Sequence, residues 1–189
     1  RMDLIDSEIR HLLTGYVPSL RAGLRLGSGA VVEFHGLHPK PPTPLHGTGL
    51  RDAELLLAAG AARAGGRPAV LGGDLNAAAW SAVTGLMQRT GGLLDPRKGR
   101  GFFLTFPAWL PTPLRFPIDH VLFTPEFRLR AIELLPDIGS DHLPLLARLC
   151  HEPGEAAERA LAPPTEAERR RAQEAIEDGR ADAARGVAP

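Results

Sequence analysis

Four short constellations of acidic, imidazole and amide side chains each end or follow an apolar run: Leu37-His38-Pro39, Gly73-Asp74-Leu75-Asn76, Ile118-Asp119-His120 and Gly139-Ser140-Asp141-His142. Carboxylates and imidazoles move protons, an amide donates hydrogen bonds to anionic oxygens, and oxygen donors suit a hard cation. At strand ends such residues stand along one rim of a sheet, where a rigid scaffold fixes their geometry. Each constellation alone has an ordinary reading. Asp74 and Asn76 suit a turn, His38 a polar loop, Asp119 a strand brace, and Ser140-Asp141-His142 an N-cap or Asx-turn. Four together in 189 residues are harder to assign to turns alone.

The elements that must carry these residues follow from apolar periodicity. Leu20, Ala22, Leu24 and Leu26 alternate with Ser19, Arg21, Gly23 and Arg25, the period of a half-buried strand. Gly27-Ser28-Gly29 turns it, and Ala30 to Leu37 returns as the second arm of a hairpin that delivers His38. The proline-rich run Pro39 to Pro44 is an exposed loop, because proline lacks an amide donor and biases its predecessor to extended geometry. Helical spacing follows over Leu50 to Arg63, then a short buried strand over Pro68 to Leu71 ends at Gly72-Gly73-Asp74. A second helix is expected from Ala79 to about Thr90, then a turn-rich stretch from Asp95 to Gly101. Strands are expected at Ile118–Thr124, Phe127–Leu134 and Leu143–Leu149. Strands interleaved with helices predict a mixed α/β or α+β domain over residues 1–150.

After Cys150 the composition shifts to Ala, Glu and Arg, so residues 151–189 read as a charged tail. Thr165-Glu166-Ala167-Glu168 has capping-box spacing, and Gly179 stands where the helix could stop. With Ile176 its only large apolar residue, this helix is expected to be marginal and solvated, or the tail disordered.

Twenty-two Lys plus Arg balance twenty-two Asp plus Glu, so no global basic excess draws the chain to nucleic acid. Arg97, Lys98, Arg100 and Arg115 form a local basic stretch near the expected rim. One cysteine excludes an intramolecular disulfide framework and a cysteine-rich zinc site. No apolar run reaches about 18 residues, and Arg1-Met2-Asp3 lacks the opening of a signal peptide, so the visible chain reads as soluble with its true start upstream.

The order and local sequence of the four constellations resemble the endonuclease/exonuclease/phosphatase superfamily, which includes deoxyribonuclease I and exonuclease III. The likeness runs from about Pro18 to Leu149 and is most specific in Ile118-Asp119-His120 and Ser140-Asp141-His142. Ala79-Trp80-Ser81, Gly92-Leu93-Leu94-Asp95-Pro96-Arg97 and Thr105-Phe106-Pro107-Ala108 are similar to bacterial members without an assigned substrate, often fused to membrane segments. The resemblance implies an α+β, four-layer α/β/β/α sandwich of the deoxyribonuclease I-like type. It implies divalent-metal-dependent hydrolysis of a phosphate ester, most simply a phosphodiester. Asp74 would position and deprotonate water, Asn76 would bind a phosphate oxygen, and His142, oriented by an acid such as Asp119, would stabilise the transition state. His38 would be a second phosphate-facing histidine, and Asp141 a ligand of Mg²⁺ or Mn²⁺ or of its water. A nucleic-acid substrate is compatible with this reading, as is a membrane tether upstream of the visible chain.

That superfamily also uses an Asn and a principal metal-binding Glu on its first two strands, and neither is identifiable here. The N-terminal strands are therefore expected to be missing, with the main Glu ligand upstream, and this segment alone is expected to be inactive. A non-catalytic binding module that keeps the fold, and a lipid or inositol phosphatase of the same superfamily, are the alternatives. Calcineurin-type metallophosphatase motifs are absent. His120 reads as a strand residue adjoining the site, and His11, His35, His46 and His151 carry no motif. Trp80, Phe106 and Trp109 read as packing groups, with stacking on a base or contact with lipid as the other option.

Overall fold

The computed structural model describes residues 2–42 and 47–185. Thr43 and Pro44 of the expected loop, and His46, lie outside the described residues. The chain runs β1 (Asp3–Arg10), β2 (Ser19–Arg25), β3 (Val31–Gly36), α1 (Gly49–Ala64), β4 (Ala69–Asp74), α2 (Ala82–Gly91), β5 (Asp119–Phe123), β6 (Phe127–Leu134), β7 (Leu145–His151), α3 (Ala156–Arg159) and α4 (Glu166–Ala184).

Five strands form one sheet in the order β1-β2-β3-β4-β5, and β6-β7 form a second. β1, β2 and β3 are antiparallel neighbours. The turn from β2 to β3 passes Gly29 at φ +86°, a conformation that glycine adopts without a Cβ clash. A parallel β3–β4 pair needs a long crossover, which α1 supplies. β5 then returns antiparallel to β4.

Period-two alternation sorts β4 and β5 between two cores. Leu71 and Leu122 pack with Leu55, Leu56 and Met87 of the helices, whereas Val70 and Phe123 pack with Val32, Phe127, Leu129 and Leu149 between the sheets. The described residues thus form helix, sheet and sheet layers of an α+β fold. The outer helical layer of the expected four-layer sandwich is not among them.

The expected strands and helices are present with shifted ends. α2 starts at Ala82 because Ser81 caps it, accepting from Thr84 N. β7 starts at Leu145, after Pro144. Two larger corrections concern the termini. The first 18 residues, given no strand above, include β1, whose pairing with β2 shifts register between Leu4 and Asp6. Nearly all of β1 is exposed, so no buried face imposes alternation on its sequence.

The expected solvated tail helix is instead a docked one. Its capping box forms as the spacing implied, with Thr165 and Glu168 exchanging side-chain-to-backbone bonds. Ala172, Ala175 and Ile176 of α4 join the core beneath α1 and α2, and Arg89 of α2 bonds Glu168 at 3.1 Å. Small residues substitute for large ones because the helices nearly touch: a Cβ added at Gly179 would meet Ala53 Cβ at 2.3 Å and Gly49 O at 3.0 Å.

Gly179→Val should therefore destabilise by about 1–3 kcal/mol, the usual cost of overpacking. For a chain of this size each kcal/mol lowers the melting midpoint by ~2–4 °C. Gly85, an exposed α2 residue with nothing within 4 Å of an added Cβ, is the control. Gly85→Ala should raise stability by up to about 1 kcal/mol through helix propensity. Thermal melts of both variants check the pair; equal midpoints would mean that α4 does not dock.

Candidate active site

Strand directions bring three of the four constellations to one rim. β3 and β4 run parallel, so Leu37-His38 and Asp74-Leu75-Asn76 leave the sheet at the same end. β5 runs the other way, so its first residue stands there too, and Asp74 faces Asp119 across the ladder. The segment entering β7 brings the fourth, since Leu143 N donates to Thr105 O in the loop before β5. A crevice of about 290 Å³ opens among Gly73, Asp119, Ser140 and His142.

Gly73 makes the approach of β3 and β4 feasible. Its φ is +141°, and an added Cβ would stand 1.9 Å from Leu37 O, so no other residue fits there. Asn76 also has positive φ, +48°. It is held by three bonds: its amide N–H donates to Asp74 Oδ1 at 2.8 Å, its side-chain Nδ2 to Pro39 O at 2.9 Å, and its carbonyl accepts from Arg51 Nη1 at 2.7 Å. Arg51, on α1, was given no role above; it anchors the turn that carries Asn76.

Asp74, Asp119 and His142 converge. His142 Nδ1 donates to Asp119 Oδ2 at 2.8 Å, and its Nε2 lies 3.9 Å from Asp74 Oδ2. His38 Nε2 lies 3.6 Å from the same Asp74 oxygen, with its side chain open to solvent. Phe106 covers His142, ring centroids 4.6 Å apart. Partial burial raises the pKa of Asp74 and the neighbouring Asp119 charge adds to this; the Asn76 amide and the two imidazoles oppose it. Partial burial disfavours the charged form of His142, but its bond to Asp119 and the charges of Asp119, Asp74 and Asp141 outweigh that and raise its pKa.

Asp141 is exposed. Its carbonyl accepts from Ala108 N, and the Ser140 hydroxyl lies 3.4 Å from its carboxylate. Among the described residues no group of three or more His, Cys, Asp or Glu could hold a metal ion. Asp141 and its neighbours therefore do not make a complete cation cage.

His120 points to the helix side of the sheet, as alternation from Asp119 requires. Its Nε2 donates to Ala77 O at 2.8 Å, which leaves Nδ1 to accept from Arg97 Nη2 at 2.6 Å. Burial, and then Arg97, push its pKa down to about 4, so it is neutral. Arg97 in turn grips Asp95 through Nε and Nη2, both at 2.9 Å, and reaches Asp119 O at 3.2 Å. This corrects the local basic stretch: Arg97 is buried, and Arg115 donates to Leu110 O and Ala108 O. The Asp95-Pro96-Arg97 spacing was the available signal for the first bond. The bonds to β5 required the fold.

Trp80 and Trp109, expected to pack, are exposed, and Trp80 meets exposed Phe102 edge to face at 5.7 Å. Phe106 alone of the three packs, on His142. No described helix is long and apolar enough to cross a membrane.

Solved structures share this fold. An endonuclease/exonuclease/phosphatase from Bacteroides vulgatus aligns over 80% of this chain and 67% of its own, at 22% identity and a TM-score of 0.67. The mannosyl-6-phosphatase of Bacteroides thetaiotaomicron aligns over 79% and 67%, at 17% identity and 0.59. D. rerio TDP2 complexed with a single-strand DNA product aligns over 79% and 69%, at 15% identity and 0.63. The chain thus spans about two thirds of each of these three. A search of curated proteins finds no match. The sequence matches the profile of the Endonuclease/Exonuclease/phosphatase family over residues 1–142, most of its length, and with the geometry above this establishes that the chain belongs to that family of phosphate-ester hydrolases.

Proposed function

We propose that the protein hydrolyses a phosphodiester, with Asp74 as the base that orients and deprotonates water and His142 as the donor to the scissile phosphate. The observation that carries this is the line Asp119–His142–Asp74, in which a carboxylate holds one imidazole nitrogen and leaves the other facing a half-buried carboxylate. Oriented this way, His142 in its protonated form presents Nε2–H to developing negative charge, where a fixed donor is worth far more than in water. His38 stands by the same Asp74 oxygen as His142, and Asn76 bonds the other through its backbone; His38 and the remaining Nδ2 proton of Asn76 would bind the other phosphate oxygens.

Mg²⁺ or Mn²⁺ is the ion we propose, because the rim offers oxygen donors and no thiolate. Asp141 would supply one ligand, and the ion, when bound, would neutralise charge on the phosphate oxygens. Assaying nicking of supercoiled DNA and cleavage of a generic phosphodiester, with and without EDTA, tests the proposal. Activity lost to chelator and restored by Mg²⁺ or Mn²⁺ is expected; full-rate activity in EDTA would overturn the metal requirement, and no turnover under any condition would favour a binding module.

Asp74→Ala and His142→Ala should each lower kcat by about 10²-fold or more, the scale of losing a general base or a transition-state donor. Neither is in a buried cluster, so Asp74→Ala, which removes a charge facing Asp119, should not lower the melting midpoint, and His142→Ala, which removes the counter-charge of that pair, should lower it only modestly. Near-normal turnover in either variant would remove its assigned role.

The pH profile separates positioning from mere structure. Turnover needs Asp74 ionised and His142 protonated, which gives a bell with its acid limb raised from the ordinary Asp value and its alkaline limb raised from the ordinary imidazole value. Asp119→Asn removes the charge that raises both. Both limbs should shift to lower pH, measured from kcat against pH; an unmoved alkaline limb would show that Asp119 does not act on His142.

A further inference from the structure

We infer that the aromatic cleft lined by Trp80 and the Phe102–Arg115 loop is a subsite for a nucleobase attached to the phosphate held at His142 and Asp74. This rests on the phosphodiester reading and names its substrate class. The cleft, about 460 Å³, is lined by Trp80, Phe102, Leu104, Pro113 and Arg115, a size within the range of small-molecule sites. Trp80 and Phe102 are 58% and 66% exposed and touch edge to face, 5.7 Å between centroids and 89° between planes, so together they make one aromatic wall of the cleft and a base would stack on an outer ring face. Two large aromatics that are each more than half exposed leave π surface open to water in the folded chain.

Both parts of the lining are tied to the candidate site. Trp80 ends the segment that begins at Asp74, fixed by Leu75 N to Ile118 O and Ala79 N to Pro117 O. The rest of the lining belongs to the loop whose Phe106 covers His142, and which pairs Phe106 with Phe116 and Thr105 with Leu143. Backbone geometry sets the outward ring: Gly101 has φ +132° and Phe103 φ +49°, on either side of Phe102. Arg115 donates through Nε and Nη2 to Leu110 O and Ala108 O, which holds its guanidinium at the cleft.

A base fits this lining better than an acyl chain does. Stacking on aromatic side chains is strong for every base and needs no particular sequence. Leu104 is the only aliphatic side chain of the lining apart from the proline ring, too little to cover a lipid tail. The balanced charge of the chain offers no long basic track, so the recognised unit is one or two nucleotides beside the scissile bond.

The test reads binding apart from turnover. Trp80 and Trp109 are the only tryptophans, so in a Trp109→Phe background Trp80 fluorescence reports the cleft. In EDTA, the whole protein is titrated with a short single-stranded oligodeoxynucleotide, an abasic backbone of equal length, and a short-chain phosphatidylcholine below its micelle concentration. The base-bearing strand should quench and bind about tenfold or more tightly than the abasic one, and Phe102→Ala should erase that difference while leaving the abasic affinity unchanged. Equal affinity for the two strands, or preference for the phospholipid, overturns the subsite. Hydrolysis of the same two strands with Mg²⁺ reads the phosphodiester proposal separately. Cleavage with no base dependence would sink the subsite alone, and base-dependent binding without cleavage would sink the hydrolase alone while the subsite stood.

Discussion

Two carboxylates facing each other across an antiparallel ladder are the constraint on which the rim depends. Asp74 and Asp119 are register partners at the end of β4 and β5, and like charges directly opposite destabilise a sheet. His142 relieves this by bonding Asp119 and standing within 4 Å of Asp74. The arrangement therefore requires a histidine from a segment beyond the sheet. The bonds of Leu143 to Thr105 and of Asp141 to Ala108 deliver it. The loop between α2 and β5 acts as the splint between the two halves of the site.

The same rim needs two departures from regular strand geometry. Gly73 lets Leu37 O come closer than any side chain would allow, and Asn76 takes a positive φ that Asn tolerates better than most residues. Three hydrogen bonds hold Asn76 there, including one from Arg51 of the crossover helix. Strain at the turn is thereby balanced by contacts from the loop after β3 and from α1. Burial of His120 beneath the sheet serves a related end: Arg97 bridges its ring, Asp95 and the backbone of Asp119, which fixes the strand that presents the second carboxylate.

How much of this the sequence conveys depends on what buries each element. β2 was legible because its period of two survives in the residue order, and β3 and β5 because their covered faces leave short apolar runs. β1 was not, since an edge strand exposed along nearly its whole length has no face to encode. The docking of α4 was hidden for the opposite reason: its contact with α1 depends on Gly179 and alanines, which carry almost no hydropathy signal. Among site residues, those in strand-end motifs stood out by type and spacing. Arg51 bonds a residue 25 positions away, and nothing local marks such a contact. The exposed pair Trp80 and Phe102 was unreadable because exposure itself is a property of the fold.

The electrostatics of the rim set stability against its working state. Asp74 has a raised pKa, so its ionisation costs the folded chain more than the unfolded one, and stability falls as pH rises from the ordinary carboxylate value through the folded one. His142 is raised as well. Its contribution is complete below the ordinary imidazole pKa and fades as pH rises through its folded value. Both signs favour the proton-rich form, yet the proposed chemistry needs Asp74 without its proton and His142 with one. That combination exists only between the two folded pKa values, where the destabilising Asp74 charge is present and the stabilising imidazolium has not yet been lost. In that window His142 is the counter-charge that makes an ionised Asp74 tolerable beside Asp119. On this argument the imidazolium that would meet the phosphate also joins the Asn76 amide in favouring the ionised form of the base.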